Sequence, residues 1–255
     1  MTARGLLLVG TDTGVGKTSV GVGLLRLAYR NNFRLIPFKP VETGCDPAAQ
    51  DATRLWAAAP LSDLAPTDVC PLRFTPPVAP SVAARLAGRP IEPHVLREHA
   101  AILLRRGDAL LVESAGGLLT PYAAGLTSVS LADLFDIDVL LVSANRLGTI
   151  NHTALALAEL ASRRVRLAGL VLVNVNGISS PDQPHNAAEI AALSGVAALG
   201  TLRYSATTDP DSLADALLED VDLASLFGGA LLAPRPRTKS RHQLRSPRRG
   251  RSNEA

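Results

Sequence analysis

The chain has little of what marks secreted, metal-cluster or membrane proteins. Its 255 residues include two cysteines, Cys45 and Cys70, which are too few for a cysteine metal cluster. A chain of this length can build a core without disulfides, so a reducing compartment is the simplest expectation. No apolar run reaches the roughly 18 residues of a membrane-spanning helix, and the first apolar segment begins too early to leave room for a signal peptide. We therefore expect a cytoplasmic protein without a membrane span.

Positive charge is scarce in most of the chain, although the formal net charge is +3. Residues 234–255 hold eight of the 26 Lys and Arg residues but only one of the 23 acidic residues, so the remainder is acidic overall. This tail has almost no apolar residues, so we predict one folded domain over 1–233 and a disordered basic tail. Binding of nucleic acid or an anionic surface, and a terminal extension without a function, both remain open for the tail.

The most informative segment is a glycine-rich turn that follows an apolar strand. Leu6–Val9 is apolar, Gly10–Gly16 is the turn, and Lys17 and Thr18 precede a long segment with helical periodicity. Glycines allow backbone N–H groups to surround an anion, and the free N–H groups of the following helix point at the same place. This pattern is typical of a phosphate-binding loop, in which the lysine would contact the β- and γ-phosphates and the threonine hydroxyl would hold Mg²⁺.

The spacing of this loop departs from the usual pattern. Five residues rather than four separate Gly10 from Gly16, and Thr11 stands where the first glycine would be. A tight glycine turn with a solvated Lys17 is the alternative interpretation of the segment.

Three charged residues lie where a parallel sheet would bring them near bound phosphates. Lys39 follows the apolar segment 34–38, so it should lie at a strand end and could neutralise charge in phosphoryl transfer. An exposed lysine in a turn is the alternative. Asp51 begins a short helix and is either its N-cap or a Mg²⁺ ligand. Glu113 ends the apolar strand 109–112 beside a glycine pair and could hold Mg²⁺ or its water shell.

Apolar strands alternate with helical segments along the chain. This order predicts an α/β fold of the P-loop NTPase type, with three layers and a mostly parallel central sheet that helices cover on both faces. Beyond the first loop, helices are expected at 51–58, 81–87, 93–106, 130–135, 153–162, 187–193 and 211–226, and later strands at 138–142, 167–173 and 196–202. The proline-rich segment 60–80 and residues 118–128 are expected to be loops.

Four motifs occur together in the order and approximate spacing found in dethiobiotin synthetases. They are GTDTGVGKT at 10–18, FKPVETG at 38–44, VESAGG at 112–117 and RLGTINHT at 146–153. The chain resembles this family over roughly residues 4–210. The five-residue spacing of the first loop is similar to the family's own variant of the phosphate-binding loop.

The resemblance implies a cytoplasmic homodimer that uses ATP and Mg²⁺ to convert 7,8-diaminononanoate and CO₂ into dethiobiotin, ADP and phosphate in biotin synthesis. A substrate amine would capture CO₂ as a carbamate, and a carbamate oxygen would attack the γ-phosphoryl group. The second amine would then close the ureido ring as phosphate leaves. Since no strong base is needed, positioning and charge neutralisation would carry the reaction. No nucleic-acid or membrane partner is expected.

The resemblance also implies roles for the residues that match the family's motifs. Lys17 and Lys39 would be catalytic by neutralising the carbamate and the γ-phosphate, and Thr18, Asp51 and Glu113 would hold Mg²⁺. The substrate would contact Thr13, Thr43, Gly116, Leu147, Gly148 and Asn151, with the last three reaching it across the dimer interface. The nucleotide would contact Gly14, Val15, Gly16, Lys17, Thr18, Ser19, Asp51, Glu113, Asn174, Arg203, Tyr204 and Ser205.

Some details of these assignments have alternatives. The family usually has its adenine-facing asparagine four residues after a glycine, whereas Asn174 lies five residues after Gly169, so Asn176 is also a candidate. Turn chemistry explains Asn174 about equally well, and Asn151 could be a helix N-cap. Arg203 stands where the family usually has a proline.

Two other classes share such a nucleotide site. ATP-dependent amidoligases usually carry a glutaminase domain with a nucleophilic cysteine, for which this chain has no room. A partition-type dimeric switch ATPase, whose basic tail would bind DNA, usually has a second lysine early in the phosphate loop, and Gly10–Gly16 has none. Stimulation of ATP turnover by a diamine or by DNA would separate these alternatives.

Overall fold

The computed structural model describes residues 5–46 and 48–232. The strands of these residues are β1 (Gly5–Gly10), β2 (Leu35–Phe38), β3 (Val41–Thr43), β4 (Leu72–Phe74), β5 (Ala109–Gly117), β6 (Pro121–Ala123), β7 (Leu126–Thr127), β8 (Asp138–Ala144), β9 (Leu167–Val173) and β10 (Gly200–Leu202). The helices are α1 (Lys17–Arg30), α2 (Gln50–Ala58), α3 (Pro66–Val69), α4 (Pro80–Leu86), α5 (Pro93–Leu104), α6 (Ser130–Phe135), α7 (Thr149–Ser162), α8 (Gln183–Ser194) and α9 (Pro210–Asp220), followed by a 3₁₀ turn at Leu226–Gly229.

Six of these strands form one parallel sheet in the order β10-β9-β8-β1-β5-β2. Every residue of β1 is buried, because helices cover both faces of the sheet. Leu6 and Leu8 pack with α1, α2 and α9, whereas Leu7 and Val9 belong to the core that includes α5, α6, α7 and α8. The predicted three-layer α/β fold is therefore confirmed.

The parallel sheet gathers the candidate residues at one edge. β1, β5 and β2 are adjacent and parallel, so their carboxyl ends lie side by side. The phosphate loop follows β1, Lys39 follows β2, and Glu113 lies in β5 opposite Leu8 of β1. Residues that are far apart in the sequence therefore meet at this edge.

Two segments that were expected to be loops contain regular structure. Within 60–80, α3 and β4 form, and β4 pairs with β3. Pro66 occupies the first turn of α3, where its missing N–H costs nothing, and the following Val69 and Cys70 are fully buried. Within 118–128, β6 and β7 form a hairpin. The expectation was wrong because these short elements are stabilised by packing rather than by a long periodic pattern.

Several element boundaries also differ from the predictions. α7 begins at Thr149 instead of residue 153, because Gly148 has a φ of 92° and turns the chain into the helix. Asn151 therefore lies inside the first turn of α7 and is not its N-cap. Asp51 is not the N-cap of α2, since Ala49 holds that position. β10 covers only three residues of 196–202, and α9 ends six residues before the predicted end.

None of the helices in the described part of the chain is long and apolar enough to cross a membrane. The basic tail at 234–255 lies outside the described residues, so its interpretations and the domain boundary at 233 stay predictions.

Candidate active site

The phosphate loop leads into a helix end that is not capped by a described side chain. Gly16 is the N-cap residue of α1 and has a φ of 97°. A Cβ at Gly16 would lie 2.7 Å from a methyl carbon of Val173 in β9, so both the backbone angle and this close approach require glycine. The N–H groups of the first turn of α1 are thus available to an anion.

Lys17 is held beside the loop by backbone carbonyls. Its Nζ donates to the carbonyl oxygens of Asp12 at 3.1 Å and Gly116 at 2.7 Å. The residue is 7% exposed. Burial lowers the pKa of Lys17 to about 8, although the nearby Glu113 carboxylate partly offsets this effect. A phosphate group beside Nζ would favour the charged ammonium again.

Side chains from several elements meet beneath the loop. Thr18 Oγ1 lies 3.0 Å from Asp51 Oδ1 and 3.0 Å from Glu113 Oε1. Lys39 Nζ donates to Glu113 Oε1 at 2.5 Å and to Asp51 Oδ2 at 3.0 Å. We call Lys17, Thr18, Lys39, Asp51 and Glu113 the charged end of the site.

The ion pairs of the charged end are buried on one side and open on the other. The side chains of Lys39 and Glu113 are 4% and 1% exposed, whereas that of Asp51 is 38% exposed. Burial alone would lower the pKa of Lys39, but the Glu113 and Asp51 carboxylates outweigh it and raise that pKa above its usual range. Burial alone would raise the pKa of Asp51, but the Lys39 ammonium outweighs it and lowers that pKa. Both partners therefore stay charged near neutral pH.

Glu42 fixes the position of Asp51, and sequence reasoning missed it. Its Oε1 accepts the backbone N–H of Asp51 at 2.9 Å, and its Oε2 accepts that of Ala52 at 2.9 Å. This carboxylate takes the place of the side-chain cap that Ala49 cannot supply at the start of α2. A signal was present in the sequence, because Glu42 belongs to the FKPVETG motif and precedes a helix that lacks its own N-cap side chain.

The oxygen atoms of the charged end fit a Mg²⁺ ion. Thr18, Asp51 and Glu113 supply hard oxygen donors, and Glu113 Oε2 is buried without a hydrogen-bond partner among the described residues. In the described part of the chain, no group of three or more His, Cys, Asp or Glu side chains is arranged to hold a metal ion. A Mg²⁺ ion here would therefore need water or phosphate oxygens as further ligands, which is its usual coordination.

A cavity of about 430 Å³ lies over the charged end and extends to β9. It is lined by most of the residues that were predicted to contact the nucleotide, namely Gly14, Gly16, Lys17, Thr18, Ser19, Asp51, Glu113, Asn174, Arg203, Tyr204 and Ser205. Thr13 and Gly116, which were predicted to contact the substrate, line it as well. Sequence reasoning missed the lining residues Arg54, Val173, Val175, Leu202 and Leu213. The four apolar side chains come from the ends of β9 and β10 and from α9, where no motif marks them.

The other predicted residues lie outside this cavity. Val15 is buried under the loop, and Lys39 is buried beneath the carboxylates that it contacts. Thr43 is half-buried at the end of β3. Leu147 is 85% exposed, and Asn151 is exposed in the first turn of α7. Within one chain, Leu147 and Asn151 thus do not line this cavity.

Two buried amide side chains stand behind Asn174. Asn186 Nδ2 donates to Asp182 Oδ2 at 3.1 Å and to Asn145 Oδ1 at 2.8 Å. Asn145 Nδ2 in turn donates to Asn174 Oδ1 at 3.0 Å. A carboxylate can only accept, so the direction of these bonds leaves Asn174 Nδ2 as the donor available to a ligand. We call Asn145, Asn174 and Asn186 the amide end of the site. Asn176, by contrast, is exposed and bonds a backbone N–H two residues away.

A second cavity, of about 520 Å³, lies on the other side of the phosphate loop. Thr13 lines both cavities, so molecules bound in the two would meet at this residue. The second cavity is also lined by Thr11, Asp12, Gly117, Leu118, Leu119, Thr120, His152, Leu155, Ala156 and Glu159. Thr11 Oγ1 lies 3.1 Å from Ser143 Oγ, which lies 2.9 Å from Thr149 Oγ1, so a buried hydroxyl chain connects the loop to the start of α7.

The parallel sheet, the glycine loop and the uncapped start of α1 define a P-loop nucleotide-binding protein. A family model described as an AAA domain matches residues 4–212. A ParA family ATPase from Chlorobium tepidum TLS has a similar fold, with a TM-score of 0.51 and 13% identity over 90% of this chain and 97% of that one. A chain of the MinC:MinD cell division complex of Aquifex aeolicus gives a TM-score of 0.51 at 13% identity, covering 84% of this chain and 86% of that one. At such identities these similarities show the fold alone.

Sequence relatives define the family more closely. An ATP-dependent dethiobiotin synthetase from Anaeromyxobacter sp. strain Fw109-5 is 40% identical over 79% of this chain and 90% of its own length. Those of Streptomyces coelicolor and Bacillus subtilis are 37% and 28% identical, over 77% and 88% of this chain and 82% and 97% of their own lengths. The chain belongs to the ATP-dependent dethiobiotin synthetase family. The predicted family and the predicted class of enzyme, an ATP-dependent ligase, are thereby confirmed.

Proposed function

We propose that this protein converts 7,8-diaminononanoate, CO₂ and ATP into dethiobiotin, ADP and phosphate. One substrate amine adds to CO₂ and loses a proton, which forms a carbamate. A carbamate oxygen then attacks the γ-phosphorus and displaces ADP, giving a carbamic–phosphoric anhydride. The second amine attacks the carbonyl carbon and expels phosphate, which closes the ureido ring. Family membership supports the overall reaction, and the geometry of the site supports the roles below.

The observation that carries the proposal is the charged end beneath the phosphate loop. Thr18 Oγ1 lies 3.0 Å from a carboxylate oxygen of both Asp51 and Glu113, and Glu113 Oε2 has no hydrogen-bond partner among the described residues. These three residues would hold Mg²⁺, directly or through water, and the ion would neutralise the charge of the β- and γ-phosphates. Residues 14–19 would surround the phosphates with backbone N–H groups.

The two lysines have separate tasks in the proposed reaction. Lys17 lines the cavity, so its ammonium would lie on the β- and γ-phosphates and stabilise the charge of phosphoryl transfer. Lys39 is buried and paired with both carboxylates, so its first task is to hold Glu113 and Asp51 in position. When a cation shares those carboxylates, the Lys39 ammonium would become available to the carbamate and the γ-phosphate.

The second cavity is suited to the diamine. It lies against the loop face opposite to the nucleotide cavity, and Thr13 borders both. A carbamate formed there would lie in line with the γ-phosphate, which is the arrangement that phosphoryl transfer requires. Gly116 and the neighbouring Gly117 would let the substrate approach the backbone between the two cavities. Thr43 would contact the diamine or the carbamate from β3.

The amide end would bind the adenine base. Asn174 lines the nucleotide cavity and has its Nδ2 available, whereas Asn176 lies in an exposed turn. We therefore assign the base contact to Asn174, with Tyr204 and Ser205 beside it and Val173, Val175, Leu202 and Leu213 as the apolar surface for the ring. Arg203 pairs with Glu219 and Asp220 at 2.6 Å each, so it would hold this wall in place.

The substrate's carboxylate tail would be bound by a second copy of the chain. Leu147, Gly148 and Asn151 are exposed at the start of α7, where free N–H groups can donate hydrogen bonds to an anion. An apolar cavity of about 580 Å³ continues along α7 and α8, and Leu155 and Leu193 there are 63% and 65% exposed. A homodimer would cover this surface and bring residues 147–151 of one copy to the site of the other. We also propose a cytoplasmic location, which the family resemblance implies.

The experiment that tests the function is phosphate release in the presence of MgATP and bicarbonate, with and without 7,8-diaminononanoate. We expect release to depend on the diamine and dethiobiotin to appear among the products by mass spectrometry. Release that ignores the diamine, or that DNA stimulates instead, would overturn the proposal and favour a switch ATPase. Omission of magnesium, with chelator added, is the matched control for the ion and should abolish release.

A further inference from the structure

Arg54 lines the nucleotide cavity without a hydrogen bond or a close ion pair to any residue in the described part of the chain. It lies on α2, one turn after Asp51, and lines the cavity of about 430 Å³. Its Nε is buried without a hydrogen-bond partner, and no described carboxylate lies within ion-pair distance of its guanidinium. A guanidinium stays charged at any pH that the protein tolerates, so this charge cannot be relieved by losing a proton.

The other two cationic side chains that line the cavity have hydrogen-bond or ion-pair partners. Lys17 donates to the carbonyl oxygens of Asp12 and Gly116. Arg203 pairs with the carboxylates of Glu219 and Asp220 at the opposite wall. Arg54 differs from both, because it is half-buried without a hydrogen bond to any described carbonyl or carboxylate, and its only described counter-charge is the nearby Asp51 carboxylate, whose pKa it helps to lower. A buried charged donor without a hydrogen-bond acceptor destabilises the folded protein. We therefore expect a bound ligand to supply the missing acceptor.

The carboxylate of the neighbouring Asp51 is already hydrogen-bonded to other side chains. Asp51 lies one turn before Arg54 on the same helix, yet its Oδ1 and Oδ2 bond Thr18 and Lys39. Glu42 holds the backbone of Asp51 and so fixes the start of α2 relative to the loop. The position of Arg54 is thus set by the same helix that carries the proposed Mg²⁺ ligand. Its guanidinium can therefore contact a ligand that binds in the cavity.

We propose that Arg54 is a phosphate-binding residue that donates to a phosphate oxygen of the bound nucleotide. This inference rests on the proposed function only in that a nucleoside polyphosphate occupies this cavity. A guanidinium can bind two phosphate oxygens at once through parallel N–H groups, which an ammonium cannot do. Arg54 would therefore fix the orientation of the phosphate chain from the α2 side, while the loop and Lys17 hold it from the α1 side.

The test is the affinity for ADP, measured by calorimetric titration in the presence of Mg²⁺ on the full-length protein. Arg54→Met should weaken ADP binding by about 10- to 100-fold, the range expected for a charge-assisted hydrogen bond. Arg54→Lys should restore part of the loss, because it keeps the charge but not the planar geometry. Arg73→Met, at an exposed position on β4 outside the cavity, removes the same charge and should leave the affinity unchanged.

The stability of the ligand-free protein separates binding from a structural role. The melting temperature of Arg54→Met without nucleotide should equal or exceed that of the wild type, because an unpaired charge has been removed. An unchanged ADP affinity, or a lower melting temperature without nucleotide, would overturn the inference. Dethiobiotin synthesis is measured separately, so a wild-type protein that makes dethiobiotin while Arg54→Met binds ADP normally would refute this inference and leave the proposed function standing.

Discussion

The charged end and the amide end of the site bury polar groups in opposite ways. At the charged end, Lys39 and Glu113 are full charges that neutralise each other almost out of contact with water. At the amide end, Asn145 and Asn186 are neutral, 4% and 2% exposed, and bonded in a fixed donor-to-acceptor order. Charges act over a distance and can exchange partners, whereas a network of amides fixes which atoms donate and which accept hydrogen bonds. The first arrangement suits a phosphate chain whose charge changes during a reaction, and the second suits a base that must be recognised.

A substitution at Glu113 should have the largest effect, because it removes one partner of the buried ion pair at the charged end. Glu113→Ala should lower the free energy of unfolding by about 3–5 kcal/mol, because it leaves the buried Lys39 ammonium with only the half-exposed Asp51. Urea unfolding followed by circular dichroism measures the change. Glu113→Ala combined with Lys39→Met is the matched control and should recover most of the loss. Equal instability of the single and double variants would show that the ion pair is not the cause.

A change at Lys17 should affect activity rather than stability. Lys17→Met should lower kcat/KM for ATP by about 10²–10³-fold, the size of effect seen when a donor to a developing negative charge is removed. Its free energy of unfolding should be unchanged or higher, because Lys17 is buried against carbonyls and not in an ion pair. Diamine-dependent phosphate release and urea unfolding measure the two effects. A variant that keeps a tenth of the wild-type kcat/KM would remove Lys17 from the proposed mechanism.

The amide end should respond more mildly. Asn145→Ala should lower the free energy of unfolding by about 1–3 kcal/mol, because hydrogen-bonding atoms of Asn174 and Asn186 lose their partner inside the protein. It should also raise KM for ATP about tenfold at an unchanged kcat, since only base binding is disturbed. Steady-state kinetics with varied ATP checks this. Asn176→Ala, in the exposed turn, should change neither value, and an equal effect there would contradict the assignment to Asn174.

The effect that is expected to be smallest near neutral pH is a pH dependence at the charged end. The pKa of Lys17 is about 8 in the ligand-free protein, and phosphate binding requires the charged ammonium. Below pH 8 the KM for ATP should be constant, and above pH 8 it should rise by up to about tenfold per pH unit as the ammonium loses its proton. Steady-state kinetics between pH 7 and 9.5 measure the rise. Lys17→Arg should give a flat profile, because guanidinium stays charged; a parallel rise in that variant would assign the pH dependence to another group.

Much of the site could be predicted because it is encoded in local motifs. The spacing of Gly10–Gly16, Lys17 and Thr18 predicts a strand, a loop and a helix, and these form as expected. Glu113 at the end of an apolar run was predicted to face the loop, and it lies 3.0 Å from Thr18. Asp51 shows the limit of such reasoning, because N-cap and metal-ligand interpretations looked alike. The structure rules out the N-cap interpretation, because Ala49 holds that position and Glu42 bonds the N–H groups at the start of α2, whereas the metal-ligand role stays a proposal.

The sequence by itself determined the family, the alternation of strands and helices, and the identity of most groups in the phosphate site. These follow from short-range chemistry: glycine backbone angles, apolar periodicity and charged residues at strand ends. The tertiary structure alone decided which carboxylates pair with Lys39 and, among the described residues, which asparagine has a free donor and that Arg54 has no hydrogen-bond partner. Such facts depend on which strands are adjacent and how deeply each side chain is buried. The burial of a side chain and its ion pairs depend on residues that are distant in the sequence, so no local sequence pattern predicts them.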